Sequence, residues 1–222
     1  MKRRLVLTAL LAGVAGAACA QVHHQHPGAA DHRFDNAESW ARVFDDPARD
    51  AWQKPDEVVR ALALAPGARV ADVGAGTGYF AVRLARAVPQ GTVYAVDLSA
   101  DMVKYLGERA RREGLANLRA LQGAPDKPNL PEPVDVVLLV DVYHHIDSRI
   151  EYFRALRQSL APGGRVAIID FRPESRRGPR HKVAASQVTD EMRRAGFAVM
   201  SSHDFLPDQY FICRWTRTCA AG

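Results

Sequence analysis

One stretch limits the fold more than any other. In VADVGAGTGYF, Val70 to Phe80, an apolar run breaks into three alternating glycines and then resumes with an apolar, helix-forming pattern. Glycine reaches backbone angles that a β-carbon forbids, so a strand that runs into Gly74, Gly76 and Gly78 can turn at once into a helix and leave its backbone bare to a ligand. Beyond this point strand patterns at 69–73, 92–96, 118–121, 134–140 and 165–170 alternate with helical patterns at 79–87, 99–113 and 149–160. Unbroken apolar runs, above all the VVLLV of residues 136–140, suit strands covered on both faces. The expected fold is α/β, a Rossmann-like, doubly wound, mostly parallel sheet. A chain of 222 residues suits one such domain with appendages rather than two.

The glycine spacing decides what kind of nucleotide the turn can take. A dinucleotide fingerprint is G-x-G-x-x-G, whereas this loop is G-x-G-x-G, and Tyr79 stands where a third glycine would let helix and strand close. The turn therefore suits a smaller nucleoside ligand. Asp72 precedes it at the end of the first strand. Asp97 ends the second strand, where a carboxylate can accept the hydroxyl hydrogens of a ribose.

Four ordered segments now resemble the class I S-adenosylmethionine-dependent methyltransferases: VADVGAGTGYF, VYAVDLS, DVVLLVDVYHHI and LAPGGRVAIIDF. The resemblance runs from about Pro55 to Trp215, and its DVYHHI segment looks like the small-molecule branch that includes quinone C-methyltransferases. It implies S-adenosylmethionine as cofactor. Asp72 would orient the methionine end, Gly74, Gly76 and Gly78 would line the cofactor, Asp97 would hold the ribose and Leu98 would lie against the adenine. The acidic residue that the family often places after the glycine closing strand three is replaced by Ala124, and Asp126 would substitute. The family fold adds two antiparallel strands, for which FAVMSSHDF and QYFICRW around a Leu206-Pro207-Asp208 turn are suitable, giving a seven-stranded sheet with a C-terminal hairpin.

A sulfonium methyl is already activated, so the protein has to place a nucleophile, exclude water and, for some acceptors, remove a proton. Asp141, Tyr143, His144 and His145 follow the VVLLV strand, where cleft loops begin. His144 or His145 can act as general base and Tyr143 can orient substrate or flank the sulfonium; alternatively the His pair caps the strand and packs beneath the cofactor. Asp141 is assigned to the cofactor pocket. Trp52, in DAWQKP, is either a lid or ordinary packing. Arg172, Arg176, Arg177, Arg180, His181 and Lys182 crowd one loop, which suits an anionic group or a lipid surface; a solvated loop is the plainer reading.

The N-terminus reads as an appendage. Lys2, Arg3 and Arg4 precede an apolar run and an Ala-Cys-Ala site, so residues 1–20 are expected to be a secretory signal and the mature chain to be periplasmic, with an uncleaved membrane anchor or lipidation at Cys19 as alternatives. Residues 21–33 form a His-rich arm, expected to be mobile, and residues 34–222 the catalytic domain with covering helices at its start. Three of the 30 basic residues and none of the 25 acidic ones fall in the signal, so the formal charge drops from +5 to 27 − 25 = +2. That gives little support to a nucleic-acid partner, and no Asn/Asp-Pro-Pro-aromatic segment follows strand four, as a base-flipping methylase would need. A small-molecule substrate is expected, with membrane-surface contact and oligomeric state left open.

No metal site is assigned. His23, His24, His26 and His32 lack a carboxylate or thiol to complete a coordination set. Cys213 and Cys219 could pair after export, or Cys213 could pack as a hydrophobe. Two readings stand beside the enzyme: an exported nucleotide-binding module without catalysis, and a metal-binding protein that uses the arm.

Overall fold

The computed structural model describes residues 36–216. The expected signal, the His-rich arm and Cys219 lie outside the described residues. Three short helices, α1 (Ala37–Phe44), α2 (Asp50–Gln53) and α3 (Pro55–Ala61), precede the sheet. The chain then alternates through β1 (Arg69–Val73), α4 (Tyr79–Ala87), β2 (Thr92–Asp97), α5 (Ala100–Arg112), β3 (Leu118–Gln122), β4 (Val134–Val140), α6 (Arg149–Arg157) and β5 (Leu160–Phe171). It closes with α7 (Ala185–Arg194), β6 (Phe197–His203) and β7 (Gln209–Thr216).

The seven strands lie in the order β3-β2-β1-β4-β5-β7-β6, parallel except for β7, which runs antiparallel to both β5 and β6. The expected seven-stranded sheet with a C-terminal hairpin is therefore the fold of this chain. Alternation along each strand sorts the core into two layers. Val70, Val93, Ala95, Val136, Leu138, Ala167 and Ile169 pack with α3, α4 and α5 on one face. Ala71, Tyr94, Val137, Leu139, Val166 and Ile168 pack with α6 and α7 on the other. Both faces are covered, which is why β4 shows no polar alternation over residues 136–140.

Three elements differ from the expectation. Helix α6 stops at Arg157 because Leu160 already pairs with Val134 in β5, across a register shift between Val134 and Val136. Helix α7 offers only Val188 and Met192 as buried residues, one face contact per turn, too sparse a stripe to stand out. The third is α2, a single turn.

The chain reverses direction in the sheet between β1 and β4, and there the loops after both strands part to leave a crevice. Gly74 and Val142 meet at this point. A β-carbon on Gly74, whose φ is +73°, would lie 2.3 Å from Val142 Cγ2, so the loops can touch only because residue 74 has no side chain.

Candidate active site

A cleft of about 1610 Å³ opens over the carboxyl ends of β1, β2 and β4. The glycine loop, Asp97 to Met102, Gly123 to Asp126, Asp141, Val142 and His144 to Ser148 form its base and walls, and Trp40, Val43, Phe44, Arg49 and Trp52 cover it from the N-terminal helices. Asp72, Gly74, Gly76, Asp97, Leu98, Asp126, Asp141, His144 and His145 all line it. Gly78 does not, but caps α4 directly below with φ +96°. Tyr143 is a correction: it is fully buried on the opposite sheet face, stacked on Phe153 with centroids 5.3 Å apart, and its hydroxyl donates to Glu191 Oε2 at 2.6 Å. It cannot orient a substrate or flank a sulfonium in the cleft.

The two acidic residues of the first two strands differ in environment. Asp97 Oδ2 accepts from the Gly76 N–H at 2.8 Å and Oδ1 from the Ser99 N–H at 3.0 Å, which fixes the carboxylate at the cleft edge with lone pairs to spare. Burial raises its pKa, with those backbone donors opposing. Asp72 is 3% exposed, and burial pushes its pKa up to about 7, with Arg49 opposing and Asp97 assisting. Its Oδ2 and the buried Thr77 Oγ1 find no hydrogen-bond partner among the described residues. Beside them Leu98 keeps 46% of its surface exposed. Two orphaned oxygens, a strand-end carboxylate and a bare apolar side chain around a glycine turn fit a ligand with an ammonium, a ribose and an adenine.

Residues that no local pattern signalled complete the site. Arg49 donates to Phe44 O at 2.8 Å and to Gln53 Oε1, approaches Asp141 Oδ2 at 3.8 Å and lies 4.1 Å from the centre of the Tyr79 ring. Gln53 donates to Asp141 Oδ2 at 3.1 Å and Gln209 Oε1 at 3.2 Å, and Gln209 donates to the other Asp141 oxygen. This network ties α2 to β4 and β7. It holds Asp141 in the left-handed region, φ +59°, and burial followed by Asp170 raises the Asp141 pKa to about 7 against Arg49 and Gln53. Arg109 of α5 is a second tie, donating to both Asp45 oxygens and to Thr77 O at 2.9 Å, and to Glu113 at 2.8 Å.

His144 and His145 separate in role. The His144 Nδ1 lies 2.9 Å from both oxygens of Asp170, a fully buried residue that ends the apolar run of β5. The His145 ring packs on that of His144, centroids 4.1 Å apart.

Farther from the glycine loop, Trp52 packs on Phe171 at 5.8 Å with the Arg177 guanidinium 5.2 Å from its ring centre. The basic loop is partly tied down: Arg172 pairs with Asp204 at 2.8 Å and Arg177 with Asp208 at 3.0 Å. No group of three or more metal-ligating side chains occurs among the described residues, and no described helix is long and apolar enough to cross a membrane.

Comparison with known proteins agrees with this arrangement. Residues 70–164 match the family model described as a methyltransferase domain. Over these residues, and in its seven-stranded sheet, the chain is similar to the S-adenosylmethionine-dependent methyltransferases. A solved S-adenosylmethionine-dependent methyltransferase from Aquifex aeolicus superposes with a TM-score of 0.74 at 27% identity, over 80% of this chain and 97% of that one. An uncharacterized methyltransferase of Geobacillus kaustophilus is 29% identical over 79% of this chain and 78% of its own. The ubiquinone/menaquinone biosynthesis C-methyltransferase of Geotalea daltonii is 28% identical over 51% of this chain and 49% of its own. The chain spans between 24% and 50% of the length of three further curated relatives.

Proposed function

We propose that the protein transfers the methyl group of S-adenosylmethionine to a small molecule bound in the cleft. The observation that carries this is the pair of buried, unpartnered oxygens, Asp72 Oδ2 and Thr77 Oγ1, beside a glycine turn whose neighbouring strand ends in Asp97. When bound, S-adenosylmethionine supplies a methyl group on a sulfonium, activated for in-line displacement. Asp72 meets the ammonium, Arg49 balances the carboxylate, Asp97 takes the ribose hydroxyls and Leu98 covers one face of the adenine. Asp126, exposed on the turn closed by the Ala124 and Lys127 backbones, stands at the adenine end. Asp141 and its glutamine partners shape the floor between cofactor and acceptor.

The acceptor lies toward Trp52 and Phe171, on an apolar surface that suits a planar, amphipathic molecule. Helices α1 and α2 close over it and exclude water, which matters because displacement at a sulfonium is helped by a dry, ordered approach. The test is incubation of the full chain with methyl-labelled S-adenosylmethionine and a small-molecule extract. Transfer of label to a discrete organic product, lost in Asp97→Ala, supports the proposal. Cofactor binding without label transfer to any fraction would favour the binding-module reading.

A further inference from the structure

We infer that the acceptor is an amphipathic oxyanion whose charged group is held at the mouth of the cleft by Arg177 and the basic loop of residues 172–182. The inference rests on the methyltransferase reading and deepens it by naming the class of substrate. The loop carries Arg172, Arg176, Arg177, Arg180 and Lys182 against the single acid Glu174. Like charges with no other purpose spread apart in solvent, but this loop is tied into a fixed turn. The Arg172 N–H donates to Asp208 O at 3.0 Å and the Ser175 hydroxyl to Asp208 Oδ1 at 2.9 Å. The Arg177 N–H donates to Ser175 Oγ at 3.0 Å, and Lys182 Nζ to Ser175 O at 2.8 Å. Gly178, at φ +79°, rests against the ring of Phe171, where a β-carbon would collide. Gly178 and Pro179 thereby join Phe171 and Trp52 in lining the cleft.

Arg177 is placed for an anion before one arrives. Its guanidinium lies 5.2 Å from the centre of the Trp52 ring, with Nε 3.0 Å from Asp208 Oδ2. The side chain is still 54% exposed, and its two terminal nitrogens donate no hydrogen bond to a described residue. Two N–H donors in a rigid fork match two oxygens of a carboxylate, sulfate or phosphate. Arg176 and Arg180, both exposed and without an ion pair among the described residues, add to the positive field. Arg49, which also borders the cleft, is instead committed to Phe44 O, Gln53 and Asp141. Asp126, Asp147 and Glu151 line the cleft from the turn after β3 and the start of α6, so an anion is turned away from those walls and toward the loop. An apolar body against Trp52 and Phe171, with its charge at the rim, satisfies both surfaces at once.

Two probes with one ring system test this: 8-anilinonaphthalene-1-sulfonate, an amphipathic oxyanion, and N-phenyl-1-naphthylamine, which lacks the sulfonate. Each is titrated by fluorescence into the full-length protein saturated with S-adenosylhomocysteine. The sulfonate should bind at one site about fivefold or more tighter than the neutral probe, an advantage that added sodium chloride screens. Arg177→Gln, and separately the double variant Arg176→Glu with Arg180→Glu, should each reduce that advantage and leave affinity for the neutral probe unchanged. The double variant, on exposed side chains, decides the matter should Arg177→Gln disturb the packing of Trp52. Equal affinity of the wild type for the two probes would overturn the anionic class. A sulfonate preference untouched by both variants would overturn the assignment to the loop. Pelleting with phosphatidylglycerol vesicles that the variants abolish, without a preference between the probes, would make the loop a membrane contact and overturn the proposal as well. Failure to bind S-adenosylhomocysteine would overturn the methyltransferase reading itself, so the two failures are distinguishable.

Discussion

Asp72 sits on the sheet face that carries α4, with one oxygen unpartnered among the described residues and Arg49 the counter-charge that lowers its pKa. Its folded-state pKa of about 7 lies above the ordinary value of 3.8, so between the two the folded protein holds a proton that the unfolded chain has released. The stability this contributes is complete below about pH 4 and is lost as pH rises through about 7. Asp141, also raised to about 7, adds to the same slope. Thermal melting of the cofactor-free protein should therefore fall between about pH 5 and pH 8, and Asp72→Asn should flatten the decline. A cationic ammonium beside Asp72 favours the ionised carboxyl, so cofactor binding near pH 6 should release protons. Calorimetry in two buffers of different ionisation enthalpy reads this directly, and Asp72→Asn should reduce the difference between them. Gly74→Ala is expected to destabilise by about 2–5 kcal/mol in urea unfolding, since it adds left-handed strain to a clash with Val142.

The N-terminal helices depend on long-range polar ties rather than on their own length, because α1 has eight residues and α2 four. Gln53→Ala should cost about 1–3 kcal/mol, since it leaves buried Gln209 and Asp141 short of partners. Arg109→Ala should cost a similar amount and also weaken cofactor binding, because Arg109 braces the Thr77 carbonyl of the glycine loop against Asp45. By contrast, removal of the exposed Arg154–Glu151 pair, 3.7 Å apart, should change stability by less than about 1 kcal/mol. The elements most legible in sequence are those whose signal is local. Strands β1 and β4 and helix α4 have the ends expected from their apolar runs and flanking glycines. Asp72, Asp97 and the glycines could be placed because a turn and its flanking strand ends are adjacent in the chain. Arg49, Gln53 and Gln209 could not, since Gln53 meets Asp141 across 88 residues and Gln209 across 156. Tyr143 departs from its expected place because a position just after a strand does not say which sheet face the side chain takes. The Asp170 signal was present, a carboxylate closing a buried apolar strand, but its meaning depends on where β5 brings it beside His144.

The whole molecule places one cleft at the point where the sheet reverses its strand order, roofs it with helices from the N-terminal segment and closes the sheet with an antiparallel hairpin whose Gln209 reaches back to the cleft floor. Cys213, the one of the two C-terminal cysteines within the described residues, is 3% exposed in the core, as a packed hydrophobe would be. The central claim is that this cleft binds S-adenosylmethionine through the glycine turn and Asp97. Calorimetric titration of the purified protein with S-adenosylmethionine and S-adenosylhomocysteine, beside Asp97→Ala, tests it most directly. The account predicts micromolar binding of both ligands and at least a tenfold loss in the variant, about 1.4 kcal/mol or more. No binding of either ligand to a protein that melts cooperatively, or equal binding by wild type and Asp97→Ala, would contradict it.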